Sequence, residues 1–237
     1  MKKLIGFLLL FNLYICSSHS RNEFIQNPNP TQYFAAGSAF TQPAGSILYK
    51  NTCLFFNSIS FGLTDNISLG GGTELYRLIT SNEKDKSPSL YYLAPKIGFR
   101  LAPKLRFAVG GDVLFYREGL FDADNHTGTQ IARLGYGLLT YGSVNSNVTI
   151  GGYAVPVNGD MNGKGIFFNI SGIHKIGRMV ALVGESWFFP DQSSIIDGGF
   201  RIFEKNVAVD LGVASYLGVD TQSGSIFIPY ADFTWSF

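Results

Sequence analysis

Charge is scarce in this chain. Asp, Glu, Lys and Arg make up 15% of its 237 residues, against about 25% in an ordinary soluble domain. An excess of one sign is missing as well, since the formal net charge is +1. That excludes the basic footprint of a nucleic-acid binder and the attraction of a strongly anionic partner. Cysteine is limited to Cys16 and Cys53, too few for a cysteine metal cluster. Histidine is limited to His19, His126 and His174. No apolar run reaches the roughly 20 residues that a helix needs to cross a bilayer. No stretch repeats apolar residues at helical spacing over three turns.

Glycine and aromatic residues are abundant instead, with 28 Gly and 15% Phe, Trp and Tyr. The recurring period is two. Leu105, Phe107, Val109, Val113 and Phe115 alternate with Arg106, Ala108, Gly110, Asp112 and Leu114. Val207, Val209, Leu211 and Val213 alternate with Ala208, Asp210 and Gly212. Side chains along a strand point to opposite faces in turn, so one face is apolar and the other small and polar. The polar face is Gly, Ser, Thr and Asn with about one charge per strand. A soluble barrel turned outward would carry Lys and Glu there. Such a face suits a crowded or narrow lumen.

Tight turns near 64–66, 102–104, 143–147, 175–178 and 204–206 alternate with longer polar segments near 80–89, 118–128, 156–164, 189–194 and 217–224. Short turns on one side and longer loops on the other are the pattern of a membrane barrel. Counting back from the C-terminal end gives strands near 46–62, 67–79, 90–101, 105–117, 129–142, 147–156, 164–175, 178–188, 195–203, 207–216 and 225–237. That count is odd, and a bacterial single-chain barrel has an even number of strands. The segment Gln32 to Thr41 supplies the missing first strand. The fold expected is therefore all-β: an antiparallel transmembrane β-barrel of about 12 strands, with 10 the alternative, short periplasmic turns and longer external loops. Cys53, placed inside the first long strand, reads as a small hydrophobe.

The two ends of the chain agree with this expectation. Met1-Lys2-Lys3 is followed by an apolar run from Leu4 to Ile15 and small residues at Ser18 and Ser20, the pattern of a cleaved secretory signal. Cys16 leaves open a lipoprotein cleavage with Cys16 lipidated, although Ile15 is bulky for the preceding position. The division expected is 1–20 signal peptide, 21–31 N-terminal extension and 32–237 barrel. Without Lys2 and Lys3 the chain carries 16 basic and 17 acidic residues, a net charge near −1. The final strand places Phe233, Trp235 and Phe237 on one face. Aromatic girdles sit where barrels meet the lipid interface.

Asn27-Pro28-Asn29-Pro30-Thr31 with Tyr33-Phe34, then Asn51-Thr52, and the run from Phe61 to Gly72 resemble the opening of outer-membrane β-barrel proteins of Bacteroidetes-type bacteria. The resemblance covers residues 27–72. It implies a barrel integral to a Gram-negative outer membrane and brings no catalytic residues with it. Barrels of this kind that end in Phe further imply that Phe233, Trp235 and Phe237 are read by the barrel-insertion machinery. Outer-membrane lipid and that machinery are the partners expected, with no nucleic acid and no cofactor.

The inward face is expected to carry Glu74, Lys96, Arg100, Arg106, Asp112, Arg133, Glu185, Asp197, Arg201, Asp210 and Asp232. Their signs nearly cancel, so they read as a paired network filling a small lumen, or as a pore lining that selects by charge. Phe107, Val109, Val209 and Leu211 are expected to face lipid, so Val209→Arg is expected to harm folding more than Asp210→Asn. Chemistry is thin. His126 in a polar loop and His174 near a turn are the histidines left for a hydrolase. Asn158-Gly-Asp160-Met-Asn162-Gly163 starts like a calcium loop, but its twelfth position is Asn169 where a bidentate Glu belongs. The function expected is a small channel or structural barrel with a charge-paired lumen. The alternatives are a transporter for a hydrophobic or small polar solute and, from another class, a lipid-modifying enzyme.

Overall fold

The computed structural model describes residues 25–75, 89–117, 129–155, 165–218 and 226–237. His126, Cys16, the signal region and the segment 158–163 lie outside them. The described residues form twelve strands and no helix: β1 Ile47–Thr52, β2 Phe56–Thr64, β3 Ile67–Glu74, β4 Leu90–Ala102, β5 Leu105–Arg117, β6 Thr129–Gly142, β7 Ser146–Ala154, β8 Ile166–Lys175, β9 Val180–Phe188, β10 Ser194–Glu204, β11 Val207–Leu217 and β12 Ile226–Ser236. Each pairs antiparallel with its sequence neighbours. β1 then closes the barrel on β12, with Leu48 opposite Ser236 and Thr52 opposite Asp232. Closure leaves no open edge, so the ladder groups are paired all round.

The even count arises differently from the sequence expectation. The segment 46–62 is two strands, because Cys53 and Leu54 adopt left-handed backbone with φ of 50° and 68° and turn the chain back. Cys53 therefore sits in a tight turn between β1 and β2. Gln32–Thr41 is not a wall strand. It belongs to a hairpin that enters the barrel.

The rims are unequal. At one rim the strands are joined by the short segments between Thr64 and Ile67, Ala102 and Leu105, Gly142 and Ser146, Lys175 and Val180, and Glu204 and Val207. At the other rim the connections between β3 and β4, β5 and β6, and β7 and β8 are long. The β9–β10 loop is compact, because Asp191 Oδ1 accepts the Ser193 hydroxyl at 2.6 Å and the Ser193 N–H at 3.0 Å. Those bonds, the hydroxyl first, hold the Asp191 carboxyl below its ordinary range.

The alternation assigns the faces. Phe107, Val109, Val209 and Leu211 share the outer face with Phe61, Leu139, Ile150, Phe168 and Phe200. Phe233, Trp235 and Phe237 are exposed on the same side of β12, while Asp232 and Thr234 between them are buried. The outer surface is thus a continuous apolar belt. The buried core lies inside, where Tyr33 and Phe34 of the hairpin pack against Ile173, Ala181, Val183, Phe203 and Ala208 of the wall.

Candidate functional site: a plugged lumen and the cavity above it

Residues 25–45 run into the lumen from the short-turn rim and return to it. Lys175 Nζ meets the Ile25 carbonyl at 2.5 Å, and Asn27 N–H donates to Asn145 Oδ1 in the β6–β7 turn at 2.7 Å. On the way out, Thr41 Oγ1 donates to the Asp65 carbonyl and Ala44 N–H to the Asp65 carboxylate, in the β2–β3 turn. Between these points Ser38 N–H bonds the Thr31 carbonyl and Tyr33 N–H the Ala36 carbonyl, both at 2.9 Å. The tip of the hairpin is Tyr33-Phe34-Ala35-Ala36.

The wall is cut to fit this hairpin. A Cβ on Gly212 would stand 2.9 Å from the Phe34 ring, and one on Gly98 would stand 2.9 Å from Thr41 Cγ2. A Cβ on Gly62 would overlap the Pro43 carbonyl. The small inward residues leave the hairpin its space.

Charged side chains bind the hairpin through its backbone. Arg201, 1% exposed, holds Asp210 through Nε and Nη2 at 2.7 Å each. Its remaining donors go to the carbonyls of Asn29 at 2.6 Å, Gln32 at 3.1 Å and Tyr33 at 3.0 Å, and to Asn27 Oδ1 at 3.3 Å. The guanidinium is fully engaged, which is the condition for burying it. Glu185 takes the opposite role and accepts the Ala35 and Ala36 N–H groups at the tip, along with Trp187 Nε1. Lys50 pairs with Asp232 at 2.6 Å and donates to the Phe34 carbonyl at 2.6 Å. Tyr230 donates to the Phe34 carbonyl and also contacts Asp232. Tyr33 hydroxyl meets Asn147 and Thr149, Thr149 meets Thr140, and Thr140 accepts Ala39 N–H. Both arms of the hairpin are thereby tied into β6 and β7.

The residues expected at the lumen divide into groups. Glu185, Arg201, Asp210 and Asp232 surround the hairpin. Arg106 faces it too, with its guanidinium 4.8 Å from the Phe40 ring centre. Asp197 lies opposite Glu185 in the ladder. Glu74 is buried toward the long-loop rim and accepts Ser89 N–H at 2.6 Å. Arg100 shares the face of Lys96 but is exposed at the short-turn rim, where it donates to the Pro103 carbonyl. Arg133 departs from expectation. It is exposed on the outer face, since Leu134, Tyr136 and Leu138 are the β6 residues that line the interior. β6 carries large apolar residues on both faces here, so alternation in its sequence does not show which face is inner. His174 points away from the lumen, as its neighbours Ile173 and Lys175 face inward. Lys50 and Lys175 were missed. Each is a lone cation in an apolar strand, and that was the available signal.

Alongside the hairpin and above its tip lies a cavity of about 380 Å³, which extends from Ser60 and Ser68 near the short-turn rim to Leu90 toward the long-loop rim. Its floor is hairpin residues Gln32, Ala35 and Gly37. Its walls include Tyr92, Lys96, Asp112, Leu134, Tyr136, Tyr153 and Trp187. Tyr153 is the centre of an aromatic cluster, stacked on Phe167 at 5.2 Å and packed on Trp187 at 4.9 Å and Tyr136 at 5.7 Å.

No protein-family model matches the chain, and no curated protein matches its sequence. Solved structures do match its fold. A KdgM porin in complex with disordered oligogalacturonate aligns at TM-score 0.57 and 9% identity, over 81% of this chain and 99% of that one. An outer membrane phospholipase A from Escherichia coli aligns at TM-score 0.47 and 12% identity, over 94% of this chain and 96% of that one. LpxR from Salmonella typhimurium aligns at TM-score 0.44 and 10% identity, over 81% and 99%. The porin likeness shows the fold of this chain to be that of an outer-membrane barrel.

Proposed function

We propose that this chain is an integral barrel of a Gram-negative outer membrane, of the Bacteroidetes type, and that it acts as a small gated channel closed at rest by its own N-terminal hairpin. The hairpin of residues 25–45 inside the lumen is the observation that carries the reading. An apolar belt around a charge-lined interior supports the membrane setting, because lipid rewards the first and water or paired charges the second. In this reading residues 1–20 direct export, and lipid covers the outer face. The insertion machinery recognises the outward row Phe233, Trp235 and Phe237 on β12.

A pore must be emptied before it conducts. The hairpin is held by hydrogen bonds from wall side chains to its backbone rather than by ladder pairing, so it can be withdrawn without opening the wall. The test is conductance of refolded protein in a planar bilayer. The wild type is expected to be closed with rare openings. The double variant Arg201→Gln/Asp210→Asn removes the main clamp without stranding a buried charge, and it is expected to open often. A large steady conductance in the wild type overturns the plug as a gate. Silence in both proteins would instead assign a structural role.

A further inference from the structure

We propose that the cavity beside the hairpin is a binding site for a small organic cation, an amine or quaternary ammonium on an apolar body. This goes beyond the channel reading, because it concerns occupancy of the cavity and not conduction. Two charged side chains line the space, Lys96 and Asp112, and they are not equivalent. Lys96 Nζ is turned to the hairpin, 3.4 Å from the Thr31 carbonyl and 3.3 Å from that of Ser38. Asp112 is half-buried and faces the cavity. The Lys96 ammonium, opposite Gly110 in the ladder, is the positive charge that acts on its carboxylate. With Lys96 turned to the hairpin carbonyls, a cation in the cavity beside Asp112 gains from the carboxylate charge.

The rest of the wall fits the same ligand. Tyr92, Tyr136, Tyr153 and Trp187 present aromatic rings to the cavity, and ring faces attract ammonium groups most strongly where water is excluded. The rings lie close to the wall because glycines stand behind them. A Cβ on Gly72 would be 2.6 Å from the Tyr92 ring, and one on Gly110 would be 2.5 Å from the Tyr136 hydroxyl. Larger residues there would drive the rings inward and fill the space. At about 380 Å³ the cavity is near the lower end of ligand pockets, which run from about 300 to 1,000 Å³. An anion fits less well, because the Asp112 charge opposes it and Lys96 is already directed at the hairpin.

Trp187 reports on the site. The chain has two tryptophans, so Trp235→Phe leaves Trp187 as the single tryptophan, which is excited selectively at the red edge of the tyrosine absorption. Refolded Trp235→Phe protein, checked by its heat-dependent gel shift, is titrated with benzyltrimethylammonium and with phenylacetate. The cation is expected to change the fluorescence saturably, and phenylacetate to give no saturable change over the same range. Asp112→Asn is expected to weaken the cation at least tenfold. Lys96→Gln removes a competing positive charge and is expected to tighten it. Should Asp112→Asn fail to fold, Tyr136→Leu must weaken the cation. Equal binding of phenylacetate, no saturable response, or indifference to these substitutions overturns the assignment. Conductance plays no part in the readout, so the channel reading and the binding site fail separately.

Discussion

Arg201 concentrates the energetics of the interior. Its guanidinium is out of water, and every bond it makes is either to Asp210 or to the hairpin. Removing one member of a buried pair leaves the other charge uncompensated, at about 3–5 kcal/mol. Arg201→Ala is therefore expected to lower stability by about that amount, read by urea unfolding in lipid vesicles, while Arg201→Gln/Asp210→Asn loses less. This alters the ranking expected from alternation alone. Val209→Arg places a cation on the outer face at about 2–4 kcal/mol if it lies at the bilayer midplane. Asp210→Asn was expected to be the milder change, but it strands Arg201 and should cost as much or more. Urea unfolding of these two single variants, measured side by side, checks the order. A much milder Asp210→Asn would mean that the hairpin carbonyls alone hold the guanidinium.

At the scale of elements, the hairpin and β12 behave differently. The hairpin has two backbone bonds of its own near the tip and a few internal side-chain bonds, such as Ser38 Oγ to the Pro30 carbonyl and Asn29 N–H to Asn27 Oδ1, but most of its anchorage comes from the wall. Such a segment opens at lower free energy than the ladders around it. Gly212→Ala places a methyl 2.9 Å from the Phe34 ring and also 2.9 Å from the Gly198 carbonyl of β10. Hydrogen exchange is expected to show a larger loss of protection at Ala35, Ala36 and Ser38 than at the ladder amides of β10 and β11. Equal loss in both would mean that the hairpin and wall open as one unit. β12 is a closing strand, paired to β1 on one side and β11 on the other. Trp235→Ala with Phe237→Ala removes two outward rings that pack on each other at 4.3 Å. The loss is expected to be a few kcal/mol of anchoring in detergent refolding. Assembly in cells is expected to fall far more if the row is also a recognition signal. Equal effects in the two settings would leave it as an anchor alone.

For the whole molecule, twelve strands enclose a lumen that holds the hairpin and the cavity beside it. A closed ladder separates only when many bonds break together, so the folded barrel is expected to migrate faster on a gel when unheated. It is also expected to fractionate with the outer membrane. Recovery from the soluble periplasmic fraction would end the membrane reading. The barrel and its plug are expected to be separable: deleting residues 25–41 should raise conductance and keep the gel shift. Loss of the gel shift would make the hairpin a core on which the wall is built.

Much of the wall was legible because its causes are local. Alternation on β5, β11 and β12 identified the outer residues Phe107, Val209 and Phe233 from the sequence, since a period of two follows from backbone geometry and from an outer solvent unlike the inner one. The spacing of turn residues separated the two rims for the same reason. β6 resisted, because Leu134 and Leu138 face a lumen that is itself apolar at that point, and Arg133 was assigned to the wrong side. The crowded lumen implied by the small inward residues was also legible, although what crowds it was not.

Composition and periodicity by themselves determined that this chain builds a closed antiparallel barrel with an apolar exterior, because each strand repeats the same two-faced pattern. Tertiary structure decided what lies within. Tyr33-Phe34 and Phe40 read as one more strand, since an apolar hairpin packed inside a barrel and a strand packed in its wall have the same composition. The strand break at Cys53–Leu54 is a backbone turn at residues that carry no turn signal. The clamp of Arg201, Glu185 and Lys50 joins residues more than a hundred positions from the hairpin in two of three cases. Contacts over such separations are set by closure of the sheet and leave no period in the sequence to read.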